Sequence, residues 1–146
     1  MKIQQLSLFV ENSPGRLSQA CKVLAASGIN IVTLSLADTQ QYGILRLIVK
    51  DWQKAKNALE KGGYVVTITE VVAVEVSDRP GGLAELLDVL DQGRVNIEYM
   101  YAFTVRTEDA AVMIFRFEDP DGAIKVLQSA GKDVVEGVDL FAKCRS

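Results

Sequence analysis

The sequence predicts an α+β protein in which two copies of a β-α-β-β-α-β unit follow each other along the chain. Residues 8–17 recur as residues 74–83, and the later elements keep the same order in both copies. In each copy an alternating strand pattern leads through a polar-x-Pro-Gly loop into apolar residues at helical spacing. The duplication and this strand-to-helix transition are the observations that set the fold class.

The first copy contains its six elements in order. Residues 3–10 alternate between apolar and polar side chains, which is typical of a half-buried strand. Residues 17–24 carry apolar side chains at the spacing of a helix, which we expect to begin at Pro14 and to end near Gly28. The remaining predicted elements are strands over 30–38, 44–49 and 64–69 and a helix from an Asp51 cap to Gly62.

The second copy repeats the series. Its strands are predicted over 71–76, 96–105, 110–117 and 134–141, and its helices over 80–92 and 119–130. No Gly-, Pro- or Ser-rich linker separates the copies, because residues 65–76 are strand-like almost throughout. We therefore place one domain at 1–69 and a second at 70–146. Each is a ferredoxin-like unit, and we expect antiparallel sheets packed side by side with helices on one face.

The composition excludes several kinds of partner. The net charge is −3 and no basic cluster is present, which argues against nucleic acid and anionic membrane. The N-terminal residues lack the pattern of a secretory signal, and no apolar stretch reaches the roughly 20 residues of a membrane span. We therefore expect a cytoplasmic protein. Cys21 and Cys144 suggest neither a disulfide framework nor a metal motif, so reduced thiols are expected.

Histidine is absent from the chain. Its absence excludes Ser-His-Asp and Cys-His nucleophiles, His-ligated zinc and the side chain most used for acid–base catalysis near neutral pH. The carboxylates Glu11 and Glu75 lie in different copies of the repeat, so we expect them on different units and not as a catalytic pair. We therefore predict no catalytic residues, no metal and no cofactor, in a protein that is not an enzyme.

The polar-x-Pro-Gly loops are the strongest candidate sites. Pro fits the first helical turn, and the following Gly allows a ligand to approach backbone N–H groups at a helix start, with Asn12 or Ser13 as the cap of the first helix. A purely structural turn is the alternative, although two copies in register favour a function. The candidate ligand-binding residues of the loops are Asn12, Ser13, Pro14, Gly15, Arg16 and Leu17, and Asp78, Arg79, Gly81, Gly82 and Leu83.

A second candidate group opens the second strand of each copy. Asn30 and Ile31, and their counterparts Asn96 and Ile97, follow the first helix of each copy. An Asn side chain offers donors and an acceptor to a zwitterionic ligand, whereas the structural alternative is a turn residue that tolerates positive φ. Arg16, Arg79 and Arg94 lie near the polar-x-Pro-Gly loops and could pair with a carboxylate, although an exposed Arg on a helix face is more often only solvated.

The two loops and the two strand openings, in this order of elements, resemble the ACT domain family over nearly the whole chain. ACT domains are regulatory modules that bind small ligands, usually amino acids, between paired domains. In the serine-regulated phosphoglycerate dehydrogenases of this family, the loop Asn and the strand-opening Asn hold the effector. Those positions are Asn12 and Asn30 in the first copy and Asp78 and Asn96 in the second.

The resemblance implies a non-catalytic, stand-alone tandem that binds a small ligand, a free amino acid, at the interface between two ACT domains. Serine is not implied, because the loop histidine of those dehydrogenases is replaced by Val10 and Val76. We expect a homodimer, and an amino-acid biosynthetic enzyme is a further expected partner. The alternative is a dimerisation or partner-docking protein, such as a regulatory subunit, without ligand binding.

Overall fold

The computed structural model describes residues 1–38, 41–104 and 110–142, and within them the chain forms two compact units. The first unit spans Gln4–Thr69. The second combines Met1–Ile3 with the described residues from Glu70 onward. The chain therefore passes from one unit to the other between Thr69 and Glu70, inside one continuous strand.

The first unit contains one β-α-β-β-α-β series. Strand β3 lies between β1 and β2 and is antiparallel to both, since Leu47 of β3 pairs with Leu6 of β1 and with Leu34 of β2. This crossover order is that of a ferredoxin-like unit. The elements are β1 (Lys2–Glu11), α1 (Arg16–Ala26), β2 (Thr33–Asp38), β3 (Tyr42–Ile48), α2 (Trp52–Lys61) and the first residues of β4 (Val66–Ser77).

The core of the first unit lies between its strands and its two helices. Alternate residues of β1 and β3 enter this core, because successive side chains of a strand point to opposite faces of the sheet. One apolar stripe of each helix covers that face. The buried members are Leu6, Leu8, Val10, Ala20, Leu24, Leu45, Leu47, Val49, Ala55 and Leu59.

The second unit repeats this topology, with β6 between β4 and β5 and with β7 also paired to β4. Its elements are the rest of β4, α3 (Gly82–Gln92), β5 (Ile97–Ala102), β6 (Ala110–Phe117), α4 (Pro120–Ser129), β7 (Val134–Val135) and α5 (Gly137–Ala142). Its buried core consists of Val72, Val74, Val76, Leu86, Leu90, Phe115, Phe117, Ala123, Ile124 and Leu127. The predicted α+β class with tandem ferredoxin-like units is confirmed.

Two aspartates at equivalent positions begin the second helix of each unit. Asp51 Oδ1 accepts the N–H of Lys54 at 3.0 Å, and Asp119 Oδ1 accepts the N–H of Gly122 at 3.1 Å. Each carboxylate satisfies an N–H that the helix itself leaves open and lies at the positive end of the helix dipole. The predicted Asp51 cap is therefore confirmed, and its counterpart fixes how the two copies align in this region.

Several strand boundaries differ from the prediction. β2 begins at Thr33 and not at Asn30, and the strands predicted over 64–69 and 71–76 form the single strand β4. β5 covers Ile97–Ala102. Val105 and Cys144 lie outside the described residues.

The strand predicted over 134–141 is confirmed only for Val134 and Val135, which form β7, and is wrong for the rest. The extended chain ends with β7, and the Glu136 carbonyl accepts the N–H of Leu140 at 2.9 Å within the turn that forms α5. A strand would place Val138 and Leu140 on the same face, yet Val138 is 81% exposed and Leu140 is 0% exposed. A helical turn buries Leu140 without Val138, which is why the alternating pattern misled the prediction.

The start of β1 joins the second unit through Lys2. Its ammonium group lies 3.1 Å from the Asp121 carboxylate and 3.5 Å from the Glu70 carboxylate. The hydrogen bond and charge of Asp121, followed by the charge of Glu70, raise the pKa of Lys2 above its ordinary value. Because these side chains are partly exposed, solvent and salt screen the attraction.

We expect the stabilisation by Lys2 to disappear at high pH. A group whose folded-state pKa is raised contributes its full stability below the unfolded-state pKa, about 10.4, and loses it as the pH rises through the folded-state pKa. Wild type should therefore unfold at higher urea than Lys2→Gln between about pH 7 and 9, and the difference should shrink as the pH rises through the folded-state pKa of Lys2. Lys22→Gln, which removes an exposed lysine, is the control. A Lys2 difference that does not shrink with rising pH would contradict the ion-pair explanation.

The same pattern of backbone hydrogen bonds ends α1 and α3, but the residues at the equivalent positions differ. Gly28 follows α1 with a φ of 70°, and the N–H of Ile29 donates back to the helix at 3.0 Å. Arg94 occupies the corresponding position after α3 with a φ of 55°, and the N–H of Val95 donates back at 2.9 Å. Arg94 is the only described residue other than glycine with positive φ. An L side chain there costs about 1–2 kcal/mol, so the second unit carries strain that the first avoids.

Replacement of Arg94 by Gly should raise the free energy of unfolding by about 0.5–1 kcal/mol, because relief of strain outweighs the added freedom of the unfolded chain. The converse change, Gly28→Ala, should lower it by about 1 kcal/mol. Urea denaturation of the three proteins measures both effects. A less stable Arg94→Gly protein would show that contacts of the Arg94 side chain stabilise the fold by more than the strain costs.

Candidate functional site

A tight turn joins the first strand to the first helix in each unit, over residues 13–16 and 79–82. The N–H of the fourth residue donates to the carbonyl of the first, at 3.3 Å and 3.0 Å respectively. The third residues, Gly15 and Gly81, have φ angles of 86° and 84°. Pro at the second position and Gly with positive φ at the third define a type II turn.

The turns correct both predicted helix starts by moving them later along the chain. Pro14 and its counterpart belong to the turn, so they cannot be the first helical residues. Gly15 occupies the N-cap position of α1, and no side chain caps this helix. The expected cap by Asn12 or Ser13 is therefore wrong.

Each turn leaves backbone N–H groups open at the start of a helix. After the bond that closes the turn, the next helical N–H with an acceptor belongs to Gln19 in the first unit and to Glu85 in the second, each at 3.0 Å. Open N–H groups and the helix dipole together attract an anionic group. Among the described residues no acceptor contacts the N–H groups of Gly15, Leu17 and Ser18, or of Gly81, Leu83 and Ala84.

The arginine of each loop is already paired with a carboxylate of its own unit. Arg16 Nε lies 3.2 Å from Glu11 Oε2, and Arg79 Nη2 lies 2.9 Å from both carboxylate oxygens of Glu85. A ligand carboxylate would have to displace these side chains to reach either guanidinium. The loop arginines therefore brace the loops, and the backbone is the part of each loop that can accept an anion.

A pocket adjoins each loop at equivalent positions of the two units. Each is bordered by the end of the first strand, the first helical turn and the chain that follows the second helix, with volumes of about 310 Å³ and 300 Å³. The first pocket contains three aromatic side chains and the second contains three acidic ones, so the two linings differ in chemistry. The side chains that differ include Phe9, Gln19, Tyr42 and Tyr64 in the first and Glu75, Glu85, Lys132 and Asp133 in the second.

The strand-opening asparagines do not lie beside the loop of their own unit. Glu11, which leads into the first loop, pairs with Tyr42 of β3, whereas Thr33, which follows Asn30, pairs with Ile48. These ends of β3 are roughly 20 Å apart at a rise of about 3.4 Å per residue. The second unit has the same arrangement. A ligand that touches both groups therefore needs residues from more than one module.

A cleft of about 500 Å³ surrounds the strand opening of the second unit. Asn96 Nδ2 donates to Glu118 Oε2 at 3.1 Å, and the backbone N–H of Glu118 donates to the Asn96 carbonyl at 3.1 Å. Neither Asn30 nor Asn96 has positive φ, so a left-handed turn does not explain these residues. The cleft, named here the Asn96 cleft, is lined by Arg94, Val95, Asn96, Glu118, Ala123 and Val126 among others.

Sequence reasoning missed Glu118 as a site residue. Glu118 is remote from Asn96 in the sequence, and only the pairing of β5 with β6 brings the two side chains together. One signal was present in the repeat itself. Since Asp51 and Asp119 are equivalent helix caps, the preceding residues Lys50 and Glu118 are also equivalent, and their charges are opposite.

Metal-binding groups and membrane-spanning helices can be assessed for residues 1–38, 41–104 and 110–142. In these ranges no group of three or more His, Cys, Asp and Glu side chains could hold a metal ion. None of the helices there is long and apolar enough to cross a membrane.

The fold and the paired turns define a tandem of two ferredoxin-like domains of the kind found in regulatory proteins. The family whose description is ACT domain pair matches residues 1–143. The chain belongs to this family, and ACT domains are regulatory modules. The resemblance inferred from the loops and strand openings is therefore confirmed.

Solved structures agree with this assignment. Protein BT0572 from Bacteroides thetaiotaomicron is 39% identical, with a TM-score of 0.89 over 97% of this chain and 96% of that chain. The ligand-free regulatory subunit of aspartate kinase from Thermus thermophilus is 18% identical, with a TM-score of 0.62 over 87% and 91%. Aspartate kinase from Clostridium acetobutylicum is 13% identical, with a TM-score of 0.53 over 88% of this chain but 33% of the kinase. These last two show the fold alone. A search of curated proteins found no match.

The two glycines of the second loop should differ in their tolerance of a side chain. Gly81→Ala should lower the free energy of unfolding by about 1 kcal/mol through its positive φ, because no atom lies within 4 Å of an added Cβ. Gly82→Ala should cost more, about 2 kcal/mol or above, because its Cβ would collide with the Ser77 carbonyl oxygen. Arg16→Ala, at the position equivalent to Gly82, is the control, with an expected change within about 0.5 kcal/mol. Equal losses for the two glycine variants in urea denaturation would rule out the collision.

Proposed function

We propose that this protein is a non-catalytic regulatory module that binds a free amino acid. Its membership of the ACT domain pair family supports the regulatory role. The duplicated type II turn, with open N–H groups at Gly15 and Gly81, supports recognition of a carboxylate. Because every free α-amino acid carries a carboxylate, these open N–H groups are the observation on which the proposal depends.

The proposal assigns unequal roles to the two loops. Asn12 and Asp78 are exposed beside the open N–H groups and occupy equivalent positions. The negative charge of Asp78 disfavours a carboxylate, whereas the neutral amide of Asn12 can donate to one. We therefore propose that the first loop binds the ligand carboxylate more tightly. Binding at an interface between two ACT domains, with Asn30 or Asn96 as further contacts, is part of the same proposal.

The target of this regulation is proposed to be an enzyme of amino-acid metabolism. Similar folds are found in the regulatory subunit of aspartate kinase from Thermus thermophilus and within a larger aspartate kinase from Clostridium acetobutylicum. A regulatory chain without its own active site must transmit ligand binding to a partner. A cytoplasmic homodimer that contacts such an enzyme is the form we propose.

A free amino acid should stabilise the folded protein against heat. A ligand that binds only the native state adds about 2.7 kcal/mol when its concentration is 100 times its Kd, which corresponds to a rise of several degrees in Tm. The measurement is a thermal-shift screen of the twenty amino acids at about 10 mM, followed by titration calorimetry of any amino acid that raises Tm. The absence of a shift with all twenty would refute amino-acid binding.

Variants of the loop test where the carboxylate binds. Asn12→Ala should reduce the affinity about tenfold and leave Tm without ligand unchanged, because Asn12 is exposed. Asn57→Ala, which removes an exposed amide from α2, is the matched control and should bind as wild type does. Equal affinity of both variants would remove Asn12 from the site without affecting the proposal that the protein binds an amino acid.

One observation favours partner docking as the second candidate function. Leu34 and Leu36 of β2 are 41% and 49% exposed, and β2 ends the strand order of the first unit. An exposed apolar edge strand is a surface on which protein chains associate. If the protein is a docking protein, mass measurement should find a stable partner. No amino acid should then raise Tm in the thermal-shift screen, which separates this function from ligand binding.

A further inference from the structure

We propose that the Asn96 cleft binds the amino acid and selects one with an aliphatic side chain. This inference rests on the proposed function and deepens it, because it names the class of ligand and the residues that recognise it. The cleft belongs to the second unit alone and contains a cation, the carboxylates of Glu118 and of the helix cap Asp119, and an apolar wall. These are the three kinds of group that an aliphatic α-amino acid requires.

Arg94 supplies a cation for the ligand carboxylate, in addition to the loop N–H groups that the proposed function assigns to a facing ACT domain. Its guanidinium has no ion pair or hydrogen bond with any described residue, whereas Arg16 and Arg79 are both paired. Its backbone is held at positive φ, where the first unit has Gly28. A strained residue that no internal contact explains indicates a task outside the fold. A guanidinium is well suited to that task, because it binds a carboxylate through two parallel hydrogen bonds.

Glu118 and Asn96 supply the acceptors for the ligand ammonium. The hydrogen bond from Asn96 Nδ2 to Glu118 Oε2 fixes both side chains at the end of the β5–β6 ladder. The remaining oxygens, Glu118 Oε1 and Asn96 Oδ1, have no hydrogen bond with any described residue. An ammonium group carries three donors and can use both oxygens at once. The Asn96–Glu118 pair is thus arranged for a cation and not for a second anion.

The wall of the cleft is apolar. Val95 and Val126 are half-buried and Ala123 is buried. The end of α3 approaches α4 closely here, since a Cβ on Gly93 would lie 2.6 Å from Val126. An aliphatic ligand side chain gains by leaving water for this wall, whereas a charged one would lose hydration without a partner.

The corresponding end of the first unit lacks this set of groups. Gly28 stands in place of Arg94, and Lys50 stands in place of Glu118, as the alignment of the two helix caps shows. Lys50 would repel the ligand ammonium, and Gly28 provides no cation for the carboxylate. Only Asn30 is shared. The proposal therefore assigns one such cleft to each chain.

Titration calorimetry with the full chain tests this proposal. Valine, leucine and isoleucine should bind, and aspartate and lysine should bind at least tenfold more weakly. Arg94→Asn keeps a residue that tolerates positive φ but removes the charge, and Glu118→Gln keeps the shape but removes the carboxylate. Each should lower the affinity for the bound aliphatic amino acid about tenfold or more. Lys22→Gln and Asp88→Asn make the same charge changes on exposed helix positions and should bind within twofold of wild type.

Arg94→Gly separates ligand recognition from a merely structural role. It should raise Tm without ligand and at the same time weaken binding, since it relieves the strain and removes the guanidinium. If Arg94 has only a structural role, Arg94→Gly should instead lower Tm and leave the affinity unchanged. That result would overturn the proposal.

The remaining outcomes distinguish this proposal from the proposed function. If an aliphatic amino acid binds wild type and both charge variants equally, the cleft is not the site, although the protein still binds an amino acid. If only charged amino acids bind, selection of an aliphatic side chain is overturned. If none of the twenty binds, the proposed function and this inference fail together.

Discussion

The positive φ of Gly15 and Gly81 is the constraint on which each unit depends. Proline fixes φ at its own position, and the glycine that follows completes a type II turn that no other residue completes without strain. This turn sends the chain from the first strand directly into the first helix. The helix then returns the chain to the opposite end of the sheet, so that the second strand runs parallel to the first with the third between them. The turn and the helix that follows it therefore place the loop and the strand-opening Asn at opposite ends of a unit.

Duplication has kept this backbone while the side chains around it have diverged. The two turns agree within a few degrees at their glycines, and both pockets beside them form from equivalent segments. Yet Tyr64 in the first pocket corresponds to Lys132 in the second, and Lys50 at the far end corresponds to Glu118. A tight turn limits which residues can form its backbone, but it places little constraint on the chemistry of exposed neighbours. The two units can therefore share a fold and recognise different groups.

The sequence predicted the features that depend on local chemistry. Asp51 caps a helix because its short carboxylate reaches a nearby N–H, and this needs no information from distant residues. The cap expected at Asn12 or Ser13 failed because Pro and Gly form a turn in preference to the first helical turn. The strand expected over 134–141 failed for a different reason. Whether Val138 or Leu140 is buried depends on the surfaces that this segment packs against, which an alternating pattern does not record.

The candidate sites show the same division between local and distant information. The loops and Asn96 could be found by repetition, because each is a short motif that the chain contains twice. Glu118 could not be recognised as the partner of Asn96 without the register of β5 against β6, where its N–H meets the Asn96 carbonyl at 3.1 Å. Arg94 is a similar case, since its sequence position says only that a helix has ended. Its candidate role follows from its φ of 55° and from the carboxylate of Glu118, which the pairing of β5 with β6 brings into the same cleft. The proposed ligand site at this end of the unit therefore rests on a residue that holds positive φ against its own backbone preference, and not on the repeated Asn motif alone.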